Sequence, residues 1–304
     1  YAEDAVQKQM RILQRNFFEH WSGQNPWRNE NGNELTNFIP EITKRSSIYK
    51  SLSHQFDGNQ DSIQKYLNLP RKIKIFDYKD GTKEVVMSSM DSIRYMNHFL
   101  HCGFVAMEPD SKQVKAWVGD IDYDYWHYDK VAQSKRQPGS TFKLFVYTAG
   151  MIAGKSPCDR YQDKPFTWGK GKYAWQPKNA NRNYSYANLT LKRAFARSVN
   201  TIAAQLAKDV GIQNVAGAAR LLGIKSKLEE VPTLSLGASD VSLLEMVNSY
   251  STVTHEGMYR APVIVTKIED KDGYVIYEYK VKPKRVISYE NAFLMTELLK
   301  AGIT

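Results

Sequence analysis

Cysteine is nearly absent: Cys102 and Cys158 are the only two in 304 residues. They lie far apart and sit in no metal-ligand spacing, so neither a disulfide framework nor a zinc site is read here. They are expected to be two separate, partly buried thiols, with a single bridge only in an oxidising compartment. No metal and no cofactor is expected. No run of about eighteen apolar residues occurs, which excludes a membrane-spanning helix within this stretch. The first residue is Tyr1 and no signal peptide is visible, so the chain is expected to be a piece of something longer. Its last residues, "LLKAGIT", read as cut and not finished. Internal repeats and low-complexity tracts are missing too.

What is present is a globular composition, 42% hydrophobic with 19 Tyr and 6 Trp, enough for a substantial core. Lys and Arg number 42 against 32 acidic residues, a net charge of +10. That balance suits an anionic polymer or surface. The charge is spread in short clusters ("TKRS", "PRKIK", "KPKR"), which reads as a solvated basic surface.

Residues 2–20 place Val6, Met10, Leu13 and Phe17 on one helical face. Residues 41–68 read as two short helices around a polar "DGNQ". Asp80-Gly81 marks a hairpin, and "MDSIRYMNHFLH" a helix. From about residue 100, "CGFVAMEPDSKQVKAWVGD" reads as a second hairpin. A helix follows over "LFVYTAGMI", then a long loop at 156–188 of a length that is often functional. Thr190 caps the next helix, and Gly211 and Gly223 end the two after it. Ser239 or Asp240 is expected to start another helix. Asp272-Gly273 turns a third hairpin, and "SYENAFLMTELLK" closes the chain as a helix. The fold class is therefore α+β, or mixed α/β: an antiparallel sheet flanked by helices. Residues 1–99 form a linker or interdomain region and 100–304 the main domain.

Three Ser-x-x-Lys matches occur, at Ser47, Ser62 and Ser140. The first two lie in polar, charged surroundings. The third follows Pro138-Gly139 and opens a helix that is apolar nearly all round, hence buried. Ser140 and Lys143, three apart, share a face. Serine needs a neighbouring base to attack, and an ammonium is not one. Burial and the positive helix terminus both favour the neutral amine. The same spacing also describes a serine that merely caps a helix and a lysine that snorkels outward. Ser198-Val199-Asn200 is the only Ser-x-Asn in the chain. It offers a hydroxyl to relay a proton and an amide to hold Lys143 and a substrate carbonyl, or simply an N-cap.

"RQPGSTFK" and "SVN" resemble the first two motifs of the penicillin-binding protein and serine β-lactamase superfamily, Ser-x-x-Lys and Ser-Asp-Asn, with Val199 in place of Asp. "VAMEPDSKQVKAWVGD", "NLTLKRAFARSVNTIAAQLAKDVG" and "LSLGASDVSLLEMVNSYSTVTHEG" resemble the transpeptidase domain of bifunctional class A penicillin-binding proteins. That likeness covers roughly residues 100–304. Residues 1–99 resemble the linker that follows the glycosyltransferase domain in such enzymes.

The resemblance implies a peptidoglycan D,D-transpeptidase. Ser140 is the nucleophile, Lys143 its base, Ser198 a proton relay and Asn200 a substrate-binding residue. Stem peptides, glycan strands, β-lactams and other cell-wall synthesis proteins are the implied partners. A glycosyltransferase domain and membrane anchor are expected before Tyr1, at the periplasmic face of the cytoplasmic membrane. Nucleic acid is not an expected partner.

The family's third motif, Lys-Thr-Gly, has no counterpart. Lys79-Asp80-Gly81 and Lys271-Asp272-Gly273 fit the letters loosely but read as hairpin turns. The fold is thus expected to be incomplete at its C-terminus, with an uncovered sheet edge, and this stretch inactive or nearly so. A serine β-lactamase and a penicillin-sensing receptor share the fold. Class A β-lactamases use a loop glutamate for deacylation, and none lies between Cys158 and Arg197. Remoter readings are a scaffold, or a single-strand binder using "RKIKIFDYK" and "WGKGKYAWQPK".

Overall fold

Helix α1 (Ala2–His20) opens the chain, with Glu3 and Asp4 in its first turn, where they complement the helix dipole. The computed structural model describes residues 1–171 and 174–303. Val6 and Met10 of α1 are buried as expected, but Leu13 is 42% exposed and Gln14 only 1%. The swap has a polar cause. Gln14 Nε2 donates to His98 O at 2.8 Å, and its Oε1 accepts from Leu100 N at 2.8 Å. Both ends of the amide are satisfied, so its burial costs little.

The backbone divides into two units, Tyr1–Cys102 with Ile121–His127, and Gly103–Asp120 with Tyr128–Thr304. The first continues with α2 (Phe38–Arg45), α3 (Ser47–Gln55) and α4 (Gln60–Leu67), three helices where two were expected. Ser46 divides the first pair: its side chain accepts from Tyr49 N and starts α3 afresh. Strands β1 (Arg71–Asp77) and β2 (Gly81–Met87) then form the expected hairpin, and α5 (Ser89–Met96) follows, capped by Ser88. Phe76 is buried among Phe99, Tyr78, Tyr125 and Trp126.

The second unit opens with the hairpin β3 (Phe104–Met107) and β4 (Val114–Val118), irregular between Ala106 and Met107. Its remaining elements are β5 (Lys135–Arg136), α6 (Lys143–Ile152), β6 (Arg160–Gln162), β7 (Asn188–Thr190), α7 (Leu191–Ala196), α8 (Asn200–Val210), α9 (Ile212–Leu222), β8 (Val241–Ser242), α10 (Leu243–Thr254), β9 (Met258–Tyr259), β10 (Lys267–Glu269), β11 (Val275–Glu278), β12 (Lys284–Arg285) and α11 (Tyr289–Lys300). The fold is mixed α/β. Among the described residues the strands associate in antiparallel pairs: β1-β2, β3-β4, β5-β8, β6-β7, β9-β12 and β10-β11.

Helix α6 is the centre of this unit and touches α8, α9 and α11. Leu144, Phe145, Val146 and Tyr147 are all fully buried, and the first three each stabilise the unit by about 1.5–3 kcal/mol. Gly150 brings α6 close to α8, since a Cβ there would lie 3.2 Å from both methyls of Leu206. Helix α10 starts at Leu243, after Ser242, not after Ser239 or Asp240. Ser242 and Glu245 form a reciprocal capping box, for which "SLLE" is the sequence signature. Ser239 instead accepts from Glu229 N. No disulfide joins Cys102 and Cys158, and Cys158 is exposed, not partly buried.

Candidate active site

The chain enters the Ser140 segment under tight backbone control. Lys135 and Arg136 pair with Ser242 and Val241. Gly139, at φ +58°, then turns the chain, and its N–H donates to Gly237 O at 3.4 Å. Gly237, at φ +77°, admits no side chain: a Cβ would sit 2.3 Å from Gly139 O. Ser140 lies in a 3-10 turn, Gly139–Phe142, and α6 begins only at Lys143. The expected placement in the first turn of the α-helix is thus shifted. Thr141 Oγ1 donates to Pro138 O at 2.7 Å, holding that turn in its tighter winding. Tyr250 Oη donates to Thr141 O at 2.9 Å from α10. Ser140 is exposed, and its Oγ caps nothing and has no hydrogen-bond partner among the described residues.

Lys143 does not snorkel; it is 2% exposed. Its Nζ donates to Ser198 O at 2.6 Å, Ser198 Oγ at 2.9 Å and Asn200 Oδ1 at 2.6 Å. Among the described residues no carboxylate pairs with it, and burial pulls its pKa down to about 8. Three acceptors match the three N–H bonds of an ammonium. Loss of one proton leaves two N–H groups for the two carbonyl oxygens and a lone pair for a hydroxyl.

Ser198 reaches this position by an unusual backbone. It sits at φ +52° just after α7. Its N–H donates to Phe195 O and that of Val199 to Ala194 O, the pattern in which glycine ordinarily ends a helix. The left-handed turn aims both the carbonyl and the hydroxyl of Ser198 at one amine. Neither Ser198 nor Asn200 caps α8: the N-cap is Val199, which has no side-chain acceptor. The cap comes from far away. Asn179 Oδ1 accepts from Asn200 N at 3.0 Å and Thr201 N at 3.4 Å.

Asn179 is held by Asp163, which is 4% exposed. Asp163 Oδ1 accepts from Asn179 Nδ2 at 2.8 Å and Thr201 Oγ1 at 2.6 Å. Its Oδ2 accepts from the N–H and hydroxyl of Ser185, each at 2.8 Å. Burial would raise its pKa, but these donors reverse that and hold it below the usual carboxylate range. A polar cavity of about 410 Å³ opens beside Ser198, lined also by Asp163, Asn179, Asn183, Ser185 and Arg197.

Asp163, Asn179 and Gly237 are residues that motif reading passed over. "LGAS" carried a hint, a glycine between apolar and polar runs, but nothing near Asn179 marks it as a cap. The Lys-x-Gly look-alikes are hairpin turns: Gly81 starts β2, and Gly273 lies between β10 and β11. In the basic-aromatic stretches, the Phe76 ring is buried, and Trp168 and Trp175 bridge each other through mutual 2.8 Å backbone bonds. Lys172 and Tyr173 of the second stretch lie outside the described residues. Among the described residues no helix is long and apolar enough to cross a membrane, and no group of His, Cys, Asp or Glu could hold a metal ion.

The family described as penicillin binding protein transpeptidase domain matches residues 102–302, and penicillin-binding protein middle domain matches residues 22–100. The chain is 30% identical over 202 residues to penicillin-binding protein 2D of Bacillus subtilis, covering 66% of the chain and 29% of that protein. It is 26% identical over 264 residues to penicillin-binding protein 1A of Aquifex aeolicus, covering 86% of the chain and 36% of the relative. In the crystal structure of penicillin-binding protein 1A from Haemophilus influenzae, 23% identical, the fold matches with a TM-score of 0.65 over 99% of this chain and 52% of that one. The chain thus spans about a third of the length of these curated relatives. It belongs to the penicillin-binding protein transpeptidase family.

Proposed function

We propose that this chain carries the acyl-serine centre of a peptidoglycan D,D-transpeptidase. One observation supports it above the rest: a buried lysine without a carboxylate partner among the described residues, one turn after an exposed serine and bonded to both polar members of Ser198-Val199-Asn200. In this reading neutral Lys143 takes the Ser140 proton as Oγ attacks the penultimate D-Ala carbonyl of a stem peptide. The carbonyl π pair moves to oxygen, where the Ser140 N–H at the start of the turn supplies one stabilising donor. Collapse breaks the C–N bond, and the proton passes from Lys143 through Ser198 Oγ to the departing D-Ala amine. An amine from a second stem peptide then attacks the ester carbon, its proton passing through Ser198 Oγ and Lys143 to Ser140 Oγ as the ester C–O bond breaks. Asn200 holds Lys143 and the substrate amide.

The full-length protein would also carry the glycosyltransferase activity and membrane anchor, and work at the periplasmic face of the cytoplasmic membrane. Residues 1–99 would serve as the region between its two catalytic domains. The 304 residues contain no Lys-Thr-Gly, so this stretch alone would be acylated slowly.

The β-lactamase alternative needs a deacylating base, and both carboxylates between Cys158 and Arg197 are engaged. Asp163 binds four donors, and Asp159 Oδ2 accepts from Ser156 N.

Labelled penicillin tests the reading. In the full-length protein the label is expected on Ser140, lost in Ser140→Ala, and far weaker on the 304-residue chain. Persistent labelling of Ser140→Ala, or steady nitrocefin turnover, overturns it.

A further inference from the structure

The α8 N-terminus carries Asn200, one of the groups around Lys143, yet its own sequence supplies no cap. Val199 has no acceptor, so the N–H groups of Asn200 and Thr201 depend on Asn179 Oδ1. Asn179 presents that oxygen because its Nδ2 is committed elsewhere, to Asp163 Oδ1 at 2.8 Å and Asn183 O at 2.9 Å. Asp163 is the acceptor that sets this orientation. It is buried, and it also ties Thr201 and Ser185 to the same point. The neighbouring residue completes the arrangement. Lys178 O takes Asn200 Nδ2 at 2.8 Å, leaving only Asn200 Oδ1 to meet Lys143 at 2.6 Å. Asp163, Lys178 and Asn179 therefore decide which end of the Asn200 amide faces the amine.

We propose that Asp163 is a positioning residue for the Lys143–Ser198–Asn200 constellation, acting through Asn179 and the α8 N-terminus. The proposal rests on the acyl-serine reading above. A carboxylate suits the place because every group that meets it is a donor. An amide at 163 would turn an N–H toward either Asn179 Nδ2 or Ser185 N, and a buried donor facing a donor is left unpaired. Asn179 would then rotate or withdraw, Lys178 O would move with it, and Asn200 would lose its fixed orientation. Lys143 would lose an acceptor that favours its ammonium form, so its titration would move to lower pH.

The test uses full-length protein carrying Asp163→Asn, Asn179→Ala or both. Acylation by labelled penicillin is followed against pH, per folded molecule, alongside amide hydrogen exchange at Asn200 and Thr201. Each single variant is expected to acylate roughly 10-fold slower or worse, with the rising limb of its pH profile shifted down and protection lost at both amides. The double variant is expected to lose little more than the worse single, because both act along one route. If Asp163→Asn folds poorly, Asn179→Ala carries the same expectations. An unchanged rate and limb per folded molecule overturns the proposal, as does full additivity. If unsubstituted protein is not acylated at all, the acyl-serine reading fails instead. Hydrogen exchange then decides the positioning claim, which unchanged protection at Asn200 and Thr201 overturns.

Discussion

Lys143 Nζ lies 2.6 Å from Ser198 O and 2.9 Å from Ser198 Oγ, so one residue grips the amine with both its backbone and its side chain. The grip exists because Ser198 adopts φ +52°, a conformation that costs a non-glycine residue roughly 1–2 kcal/mol. That cost is offset where the backbone turn and the hydroxyl are both needed.

The first prediction separates those two needs. Ser198→Gly keeps the turn and relieves its strain but removes the hydroxyl. Ser198→Ala removes the hydroxyl and keeps the strain. Ser198→Gly is expected to match or exceed the unsubstituted protein in thermal stability, and Ser198→Ala to fall below Ser198→Gly by about 1 kcal/mol. Both should slow acylation of the full-length protein, because the relay is lost from each. A Gly variant with undiminished acylation would remove Ser198 from the chemistry.

Lys143 sets the pH dependence of acylation. With its pKa pulled down to about 8 by burial, the neutral base grows as pH rises through that value. The acylation rate of the full-length protein should climb across pH 7–9 and level off above. Lys143→Ala should lose roughly 100- to 10,000-fold, the usual contribution of a positioned base. Lys143→Arg should fare no better, since a guanidinium stays charged. A pH-independent rate in the unsubstituted protein would show that some other group takes the Ser140 proton.

Ser140-x-x-Lys143 and Ser198-x-Asn200 stood out in the sequence as candidates because each pair is local, three or two residues apart at a helix entry. The structure brings Lys143 of the first against both members of the second, with α6 packed on α8 and Gly150 against Leu206. Asp163 and Asn179 were not legible, because a remote cap leaves no periodicity and no spacing rule. Gln14 illustrates the same limit. A hydrophobic pattern favours Leu13 for the buried face, yet two backbone partners at His98 and Leu100 decide the matter. Thr190 shows the converse, a local cap legible in the sequence, whereas Ser46 and the Ser242–Glu245 box were passed over because neighbouring polar residues offer competing cap signals.

Stability should carry a matching alkaline signature. Lys112 is fully buried, donates to Ser251 Oγ at 2.5 Å, and also has its pKa pulled down to about 8, chiefly by burial. For both lysines the folded pKa lies below the unfolded value near 10.4. The unfolded chain therefore binds more protons between about pH 8 and 10, and stability rises with pH across that window. Each lysine contributes at most about 3 kcal/mol over the full interval. Above about pH 10 the sign reverses, because burial pushes Tyr250 up to about 12 and the unfolded tyrosine ionises first. Thermal melts from pH 7 to 10 should show the rise, and Lys143→Met should flatten part of it. A melting temperature that falls steadily over pH 8–10 would refute the assignment.

Gly237 gives the last prediction, and it concerns the approach to Ser140. Its φ of +77° already disfavours a side chain, and a Cβ would press to 2.3 Å from Gly139 O and 2.7 Å from Gly139 N. Both neighbours are backbone, so no rotamer change relieves the clash. Gly139 must move, and Ser140 moves with it. Gly237→Ala is expected to cost about 1–3 kcal/mol from the backbone conformation alone. It should also slow acylation per folded molecule, because the 3-10 turn carrying the nucleophile shifts away from Lys143. The comparison with Gly154→Ala separates the two effects. Gly154 also has a positive φ, +83°, but nothing lies within 4 Å of its would-be Cβ. That variant should lose stability through strain alone and keep its acylation rate per folded molecule. Equal acylation by both variants would show that the contact between Gly237 and Gly139 supports the fold without placing the serine.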